Sequence, residues 1–299
     1  MTLQPSPQGS AERGFVLVAT LWLLAALATL AAIYSTYTLN AATASHVPDQ
    51  RLQAEEAIRS GVELAAYQAL AVPETARPSH GAFSAELGAT RIVVAYQSEA
   101  ARIDLNAAPV DLIGGLFASL GAAPDAAGEY AKRVEAWRKK GEPNVQNAEA
   151  ELYRTAGLTY PPRQGPFDST LELPLVLGLP PALIERALPL VTVYSNSAQI
   201  DVLEASPQVL AALPGVTPDV LLKLLDQRAR DPGNAKPLLD LLGPARARAS
   251  DKAGDAYRAS VTVEVGGRRI NGQVVFQLAK GGDEPFEIAE WRDDFDGPF

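Results

Sequence analysis

The chain has 299 residues, which at roughly 150 residues per domain corresponds to about two globular units. Apolar residues make up 47% and charged residues 20%, a balance that excludes a long disordered or fibrous architecture. With 26 Lys plus Arg against 35 Asp plus Glu the net charge is −9, which argues against phosphate neutralisation as its main work, and the absence of cysteine excludes disulfides, thiol catalysis and thiolate metal sites.

The N-terminus carries the first informative element. Residues 15–33 run without a charge, and at 1.5 Å per residue they form roughly 28 Å of helix against a bilayer core of roughly 30 Å. Tyr34 and Tyr37 follow where an interfacial aromatic belt would lie. A cleaved secretory signal is the competing reading. Its apolar region would be shorter, about 7–15 residues, although Ala41, Ala42 and Ala44 would suit a cleavage site. The charges ahead of the span give no orientation, since Glu12 cancels Arg13. The junction Glu12-Arg13-Gly14-Phe15 resembles the class III leader of type IV pilins and type II secretion pseudopilins. That resemblance implies a leader at 1–14, cleavage between Gly14 and Phe15 by a prepilin peptidase, methylation of Phe15, and a retained transmembrane helix over 15–36.

Next in the chain, residues 49–71 read as an amphipathic helix, with Leu52, Ile58, Val62, Ala65, Ala66 and Leu70 near one stripe and Glu55, Glu56, Arg59 and Glu63 solvated. Pro48 is expected to interrupt or kink the helix leaving the membrane, since it lacks an N–H for the preceding turn. Residues 83–87 and 90–96, joined by Gly88-Ala89, predict a β-hairpin. A long helix on such a sheet looks like the pilin fold, here assigned to 37–105.

From 106 to 190 short helices punctuated by Gly and Pro replace the strand signals, most clearly over 110–120 and 126–137. An internal echo links Arg102-Ile103-Asp104-Leu105-Asn106-Ala107-Ala108-Pro109 with Gln199-Ile200-Asp201-Val202 and the following Ala205-Ser206-Pro207. Each reads as an extended lead-in, an Asx turn and a helix start with Pro in its first turn. The second copy, in the region 191–255, continues as Leu213-Pro214-Gly215-Val216, a helix-hairpin-helix pattern in which Gly215 takes the left-handed turn. Gly178 sits in a similar turn. Residues 260–265 and 268–278, joined by Gly266-Gly267, predict a C-terminal hairpin within 256–299. The acidic tail is expected to be solvated, with Phe286, Ile288 and Trp291 docking as a short edge element.

These features together, at Arg13-Gly14-Phe15, Leu21-Trp22, Ser60-Gly61-Val62-Glu63, Ile103-Asp104-Leu105-Asn106, Leu171-Glu172-Leu173, Thr192-Val193-Tyr194 and Leu213-Pro214-Gly215, resemble the minor pseudopilin K family of the type II secretion system. The resemblance implies an α+β fold: an N-terminal transmembrane and amphipathic helix on a small antiparallel sheet, with a large α-helical insertion. It implies a single-pass inner-membrane protein with its N-terminus cytoplasmic and its globular part periplasmic. It also implies a non-catalytic tip subunit partnered by minor pseudopilins of the I and J types and by the major pseudopilin. Major pseudopilins carry Glu at the fifth mature position, where this chain has Ala19, which points to single-copy placement at the tip. Members that bind calcium carry an acidic loop after the Trp of the first helical unit. Here that stretch, Trp137-Arg138-Lys139-Lys140-Gly141-Glu142-Pro143, is basic. Glu149, Glu151 and Glu172 remain as oxygen donors for such an ion, with a solvated acidic helix face as the competing reading.

Two alternatives remain at the level of sequence. A membrane-anchored helix-hairpin-helix protein of the competence type would bind DNA, yet Asp219 and Asp226 offset Lys223 and Arg228 around Gly215, so no nucleic acid is expected. An enzyme would need a motif that is missing: no phosphate loop, dinucleotide fingerprint or nucleophile elbow occurs, and the two histidines, His46 and His80, lie in unrelated contexts.

Overall fold

The structure, a computed structural model, describes residues 11–88, 90–140, 148–279, 281 and 284–294, with the side chains of 11–15 and 37–49 excepted. Leader residues 1–10, the turn residue Ala89, Gly141-Glu142-Pro143 and the last five residues lie outside that set, as does the side chain of His46. The chain divides into two compact units, Met1–Glu56 and Ala57–Phe299.

The first unit consists of the leading part of helix α1 (Ala11–Leu70), in which Val16–Thr36 is apolar and exposed. The expected interruption at Pro48 does not occur, because α1 runs unbroken through it. A proline removes one rung of the hydrogen-bond ladder, and the rungs on either side are enough to carry the helix past it.

The second unit begins with the end of α1. Ala57, Ile58, Val62, Ala65, Ala66 and Ala69 are buried at helical spacing. They lie on a five-stranded antiparallel sheet of order β1-β2-β7-β8-β9, made by β1 (His80–Leu87), β2 (Thr90–Ser98), β7 (Ala256–Val265), β8 (Arg268–Leu278) and β9 (Phe286–Asp293). Small residues set the helix–sheet distance. A Cβ on Gly61 would meet Val94 Cγ2 at 3.0 Å and Val261 Cγ1 at 3.1 Å, and Gly272 leaves room for Ile58. Tyr96, Tyr257, Phe276 and Phe286 form a row across four strands, with successive ring centroids 6.0, 5.7 and 6.0 Å apart. The acidic tail docks at the sheet edge, as its apolar residues Phe286, Ile288 and Trp291 predict, and over a longer stretch than a short element. Residues 286–293 form a full edge strand on β8, and Arg59 lies 5.8 Å above the Trp291 ring.

Residues 99–255 are inserted between two strands, β2 and β7, that hydrogen-bond to each other. In chain order the insertion contains β3 (Ile103–Asp104), α2 (Val110–Ser119), α3 (Pro124–Arg138), α4 (Ala148–Thr155), α5 (Pro181–Ala187), β4 (Val191–Thr192), β5 (Ile200–Asp201), α6 (Pro207–Ala211), α7 (Pro218–Arg230), α8 (Ala235–Leu241) and β6 (Ala249–Ser250). The insertion has its own hydrophobic core, running from Ile103 to Ala249.

Candidate membrane-anchor and assembly site

The anchor candidate, Val16–Thr36, has 21 residues and is long and apolar enough to cross a membrane by length and composition. The hydroxyls of Thr20, Thr29 and Thr36 donate to carbonyls one turn back, at Leu17, Ala26, and Ala32 and Ile33, so the span satisfies these polar groups internally. Ala19 lies on this helix with its side chain exposed. Gly14 and Phe15 fall in the first turns of α1, and their side chains are outside the described set.

The internal echo has a structural counterpart. Ile103–Asp104 pairs in parallel with Val191–Thr192, and Ile200–Asp201 pairs in parallel with Ala249–Ser250. Leu105 N donates to Thr192 O and Ala108 N to Asp104 O; Val202 N donates to Ser250 O and Ala205 N to Asp201 O. The two turns therefore follow the same hydrogen-bond plan. Each is also clasped by an arginine from the second helix of its unit. Arg138 donates to the carbonyls of Leu105 and Ala108, and Arg228 to those of Val202, Leu203 and Ala205. A guanidinium has five donors in a fixed fork, which suits several carbonyls converging on one point. Neither arginine stood out in the sequence, because the partner turns lie 30–33 residues upstream of Arg138 and 23–26 upstream of Arg228. Gly215, φ +82°, turns the chain between α6 and α7. Gly178, φ +83°, lies between a 3-10 turn at Thr170–Leu175 and α5, so only one α-helix flanks it.

The three carboxylates suggested for calcium do not converge on one point. Glu149 accepts two hydrogen bonds from Arg133 Nη1, at 2.9 and 2.8 Å. Glu151 pairs with Arg154 on the exposed side of α4. Glu172 accepts from Trp137 Nε1 at 3.1 Å, from Arg163 Nη1 at 3.0 Å and from Asp168 N at 3.0 Å. No group of three metal-ligating side chains occurs among the described residues. A hard cation needs several free oxygens, and these are already taken by guanidinium groups, so the residues present do not fit calcium.

Where the sheet meets the insertion, Glu99 is fully buried. It accepts from Arg258 Nε at 2.9 Å and Nη2 at 3.2 Å, and also from Arg102 and the Thr192 hydroxyl. Burial alone would raise its pKa, but the two guanidiniums, Arg258 foremost, hold it below the ordinary carboxylate range. Arg258 also reaches Gln273 and Glu290, so one network ties the strands to the insertion. Sequence reasoning missed this network, whose only local signal was Glu99 just ahead of the first echo and Arg102 at its start. His80 Nδ1 lies 2.6 Å from Glu204 Oε1 at a largely exposed position, a contact between β1 and the second unit of the echo.

Comparison with known proteins bears on this architecture directly. Residues 94–196 match the family model described as "Type II secretion system (T2SS), protein K". Among solved structures the chain is similar to one in the crystal structure of the GspK-GspI-GspJ complex from the enterotoxigenic Escherichia coli type 2 secretion system. That likeness has a TM-score of 0.57 at 16% identity and covers 81% of this chain and 99% of that one, a likeness of fold. A comparison with curated proteins finds no match. The family match begins in the sheet strand ahead of the insertion and ends just past β4, so it contains the first clasped turn, the aromatic cluster of Trp137, Tyr153 and Phe167, and Glu99. The family-model match over residues 94–196 and the likeness of fold together support a minor pseudopilin K of the type II secretion system.

Proposed function

We propose that the chain is a non-catalytic subunit at the tip of the periplasmic pseudopilus, anchored in the inner membrane by residues 16–36 and assembled with minor pseudopilins of the I and J types. The observation that carries this reading is the large insertion, residues 99–255, lodged between two paired strands of a pilin-like sheet. A filament shaft stacks copies closely around their helices, and an insertion larger than the sheet itself obstructs that stacking. Ala19 supports the same placement, because it offers no carboxylate to the N-terminal amine of a following copy. The helix-hairpin-helix-like turns serve internal packing in this reading. Arg228 is spent on carbonyls and Arg230 on Asp226, which leaves the Gly215 turn little cationic surface for DNA.

Native mass spectrometry of the full chain co-expressed with its I and J partners and the prepilin peptidase, extracted in detergent, tests the proposal. A 1:1:1 complex whose K chain begins at methylated Phe15 is expected. Recovery of this chain alone, or with Met1 retained, contradicts it.

A further inference from the structure

The seam between the sheet's outer face and the insertion holds a cavity of about 280 Å³. Its polar lining is Arg102, Thr170, Arg258, Gln273 and Arg292, with aliphatic walls that include Leu188 and Val191. The strand register explains the convergence. Gln273 pairs with Arg292 on one side and Ser260 on the other, and Arg258 lies two residues before Ser260, so all share one face. Arg102 reaches the same place from the start of the insertion, where its Nε donates to Pro189 O.

The charges around the cavity do not balance. Three guanidiniums face two carboxylates, Glu99 and Glu290, and every oxygen of both carboxylates already accepts from one of these guanidiniums. Glu99 takes Arg102, Arg258 and Thr192; Glu290 takes Arg258 Nη1 at 3.4 Å and both Nε and Nη2 of Arg292. Gln273 Oε1 accepts from Arg258 Nη1 at 3.0 Å, which assigns the amide nitrogen as the group it has left to offer. Arg102 Nη2, Arg292 Nη1 and Gln273 Nε2 are therefore donors with no acceptor among the described residues. A cavity lined by surplus donors and one surplus positive charge selects a monoanion that accepts several hydrogen bonds. The aliphatic wall suits a short carbon stem behind that anion.

We propose that this cavity, between Arg102, Gln273 and Arg292, binds a carboxylate on a short carbon stem, that of an acidic side chain or of a chain end. The site stands on its own geometry and does not depend on where in the filament the subunit lies.

The test is NMR titration of the full chain in detergent, labelled with ¹⁵N at arginine Nε, at constant ionic strength. N-acetyl-aspartate α-amide offers a side-chain carboxylate and N-acetyl-alanine a terminal one. N-acetyl-alanine amide is the neutral control, and inorganic phosphate the competing anion. Saturable shifts with either carboxylate are expected, and the tighter of the two identifies the source. Arg292→Gln should weaken binding by about tenfold, Arg292→Lys should keep it within a few-fold, and Arg269→Gln, paired with Glu264 away from the cavity, should leave it unchanged. Shifts equal to those of the neutral control, saturation by phosphate alone, or wild-type affinity in Arg292→Gln would each overturn the proposal.

Discussion

Asp104 and Asp201 stand at matching positions of the echo and are both fully buried, yet they are solvated differently by the protein. Asp104 Oδ1 accepts from Asn106 N and Ala107 N, and its Oδ2 accepts from the Ser195 hydroxyl and Asn196 N. Asp201 Oδ1 accepts from Leu203 N, but its Oδ2 has no partner. Burial pushes the Asp201 pKa up to about 6, against the opposing pull of the Ser79 hydroxyl and the Leu203 amide. A raised acid pKa means that the folded state holds the proton longer than the unfolded one. Its contribution to stability therefore falls as pH rises from about 4 to about 6, and is level above that. Asp201→Asn should remove this slope and leave the protein at least as stable as wild type at pH 7. Asp104→Asn places an amide donor against the Ser195 and Asn196 donors and should cost about 1–3 kcal/mol at the same pH. Denaturant unfolding of the two variants between pH 4 and 7 measures both effects. Equal losses in the two variants at pH 7 would contradict this account.

Helix α2 meets helix α6 at Gly115, where an added Cβ would lie 1.9 Å from the Ala212 carbonyl oxygen. That contact is backbone and cannot give way, so Gly115→Ala should destabilise by about 3 kcal/mol. Gly128, inside α3 with open space around it, is the matched control; Gly128→Ala should stabilise by about 0.5–1 kcal/mol. Thermal unfolding of both variants reads the difference. Guanidinium pairing at Glu149 and Glu172 predicts that EGTA leaves the melting temperature unchanged; a fall on chelation, restored by calcium, would contradict it. Much at this scale was legible in the sequence. The hairpin signals around Gly88-Ala89 announced β2, the Pro207-led start announced α6, the Gly215 turn announced a helix after it, and the Ile-Asp echo announced two similar turns. What the sequence did not disclose depends on distant partners. Arg138 next to Lys139 looks like a solvated basic run until its guanidinium is seen on Leu105 and Ala108. The edge docking of Phe286, Ile288 and Trp291 was legible but the full length of β9 depends on the free edge of β8, and Pro48 looks like a break until the helix on both sides outweighs it.

At the scale of the whole molecule, a five-stranded antiparallel sheet is opened between β2 and β7 to carry residues 99–255, and the sheet closes again in register across the gap, with Ser98 opposite Tyr257. The buried Glu99–Arg258–Arg102 network lies at that junction, so the insertion is held to the strands by paired charges rather than by a flexible linker. A rigid insertion obstructs repeated stacking more than a hinged one would, and that obstruction favours placement at the tip. The leader junction and Ala19 are legible in the sequence alone; the obstruction shows only in the strand order. The direct test is immunogold labelling of pseudopili overproduced in cells in which this chain carries an epitope tag after Phe299. Gold at one end of each filament is the predicted result, and gold distributed along the shaft would contradict it.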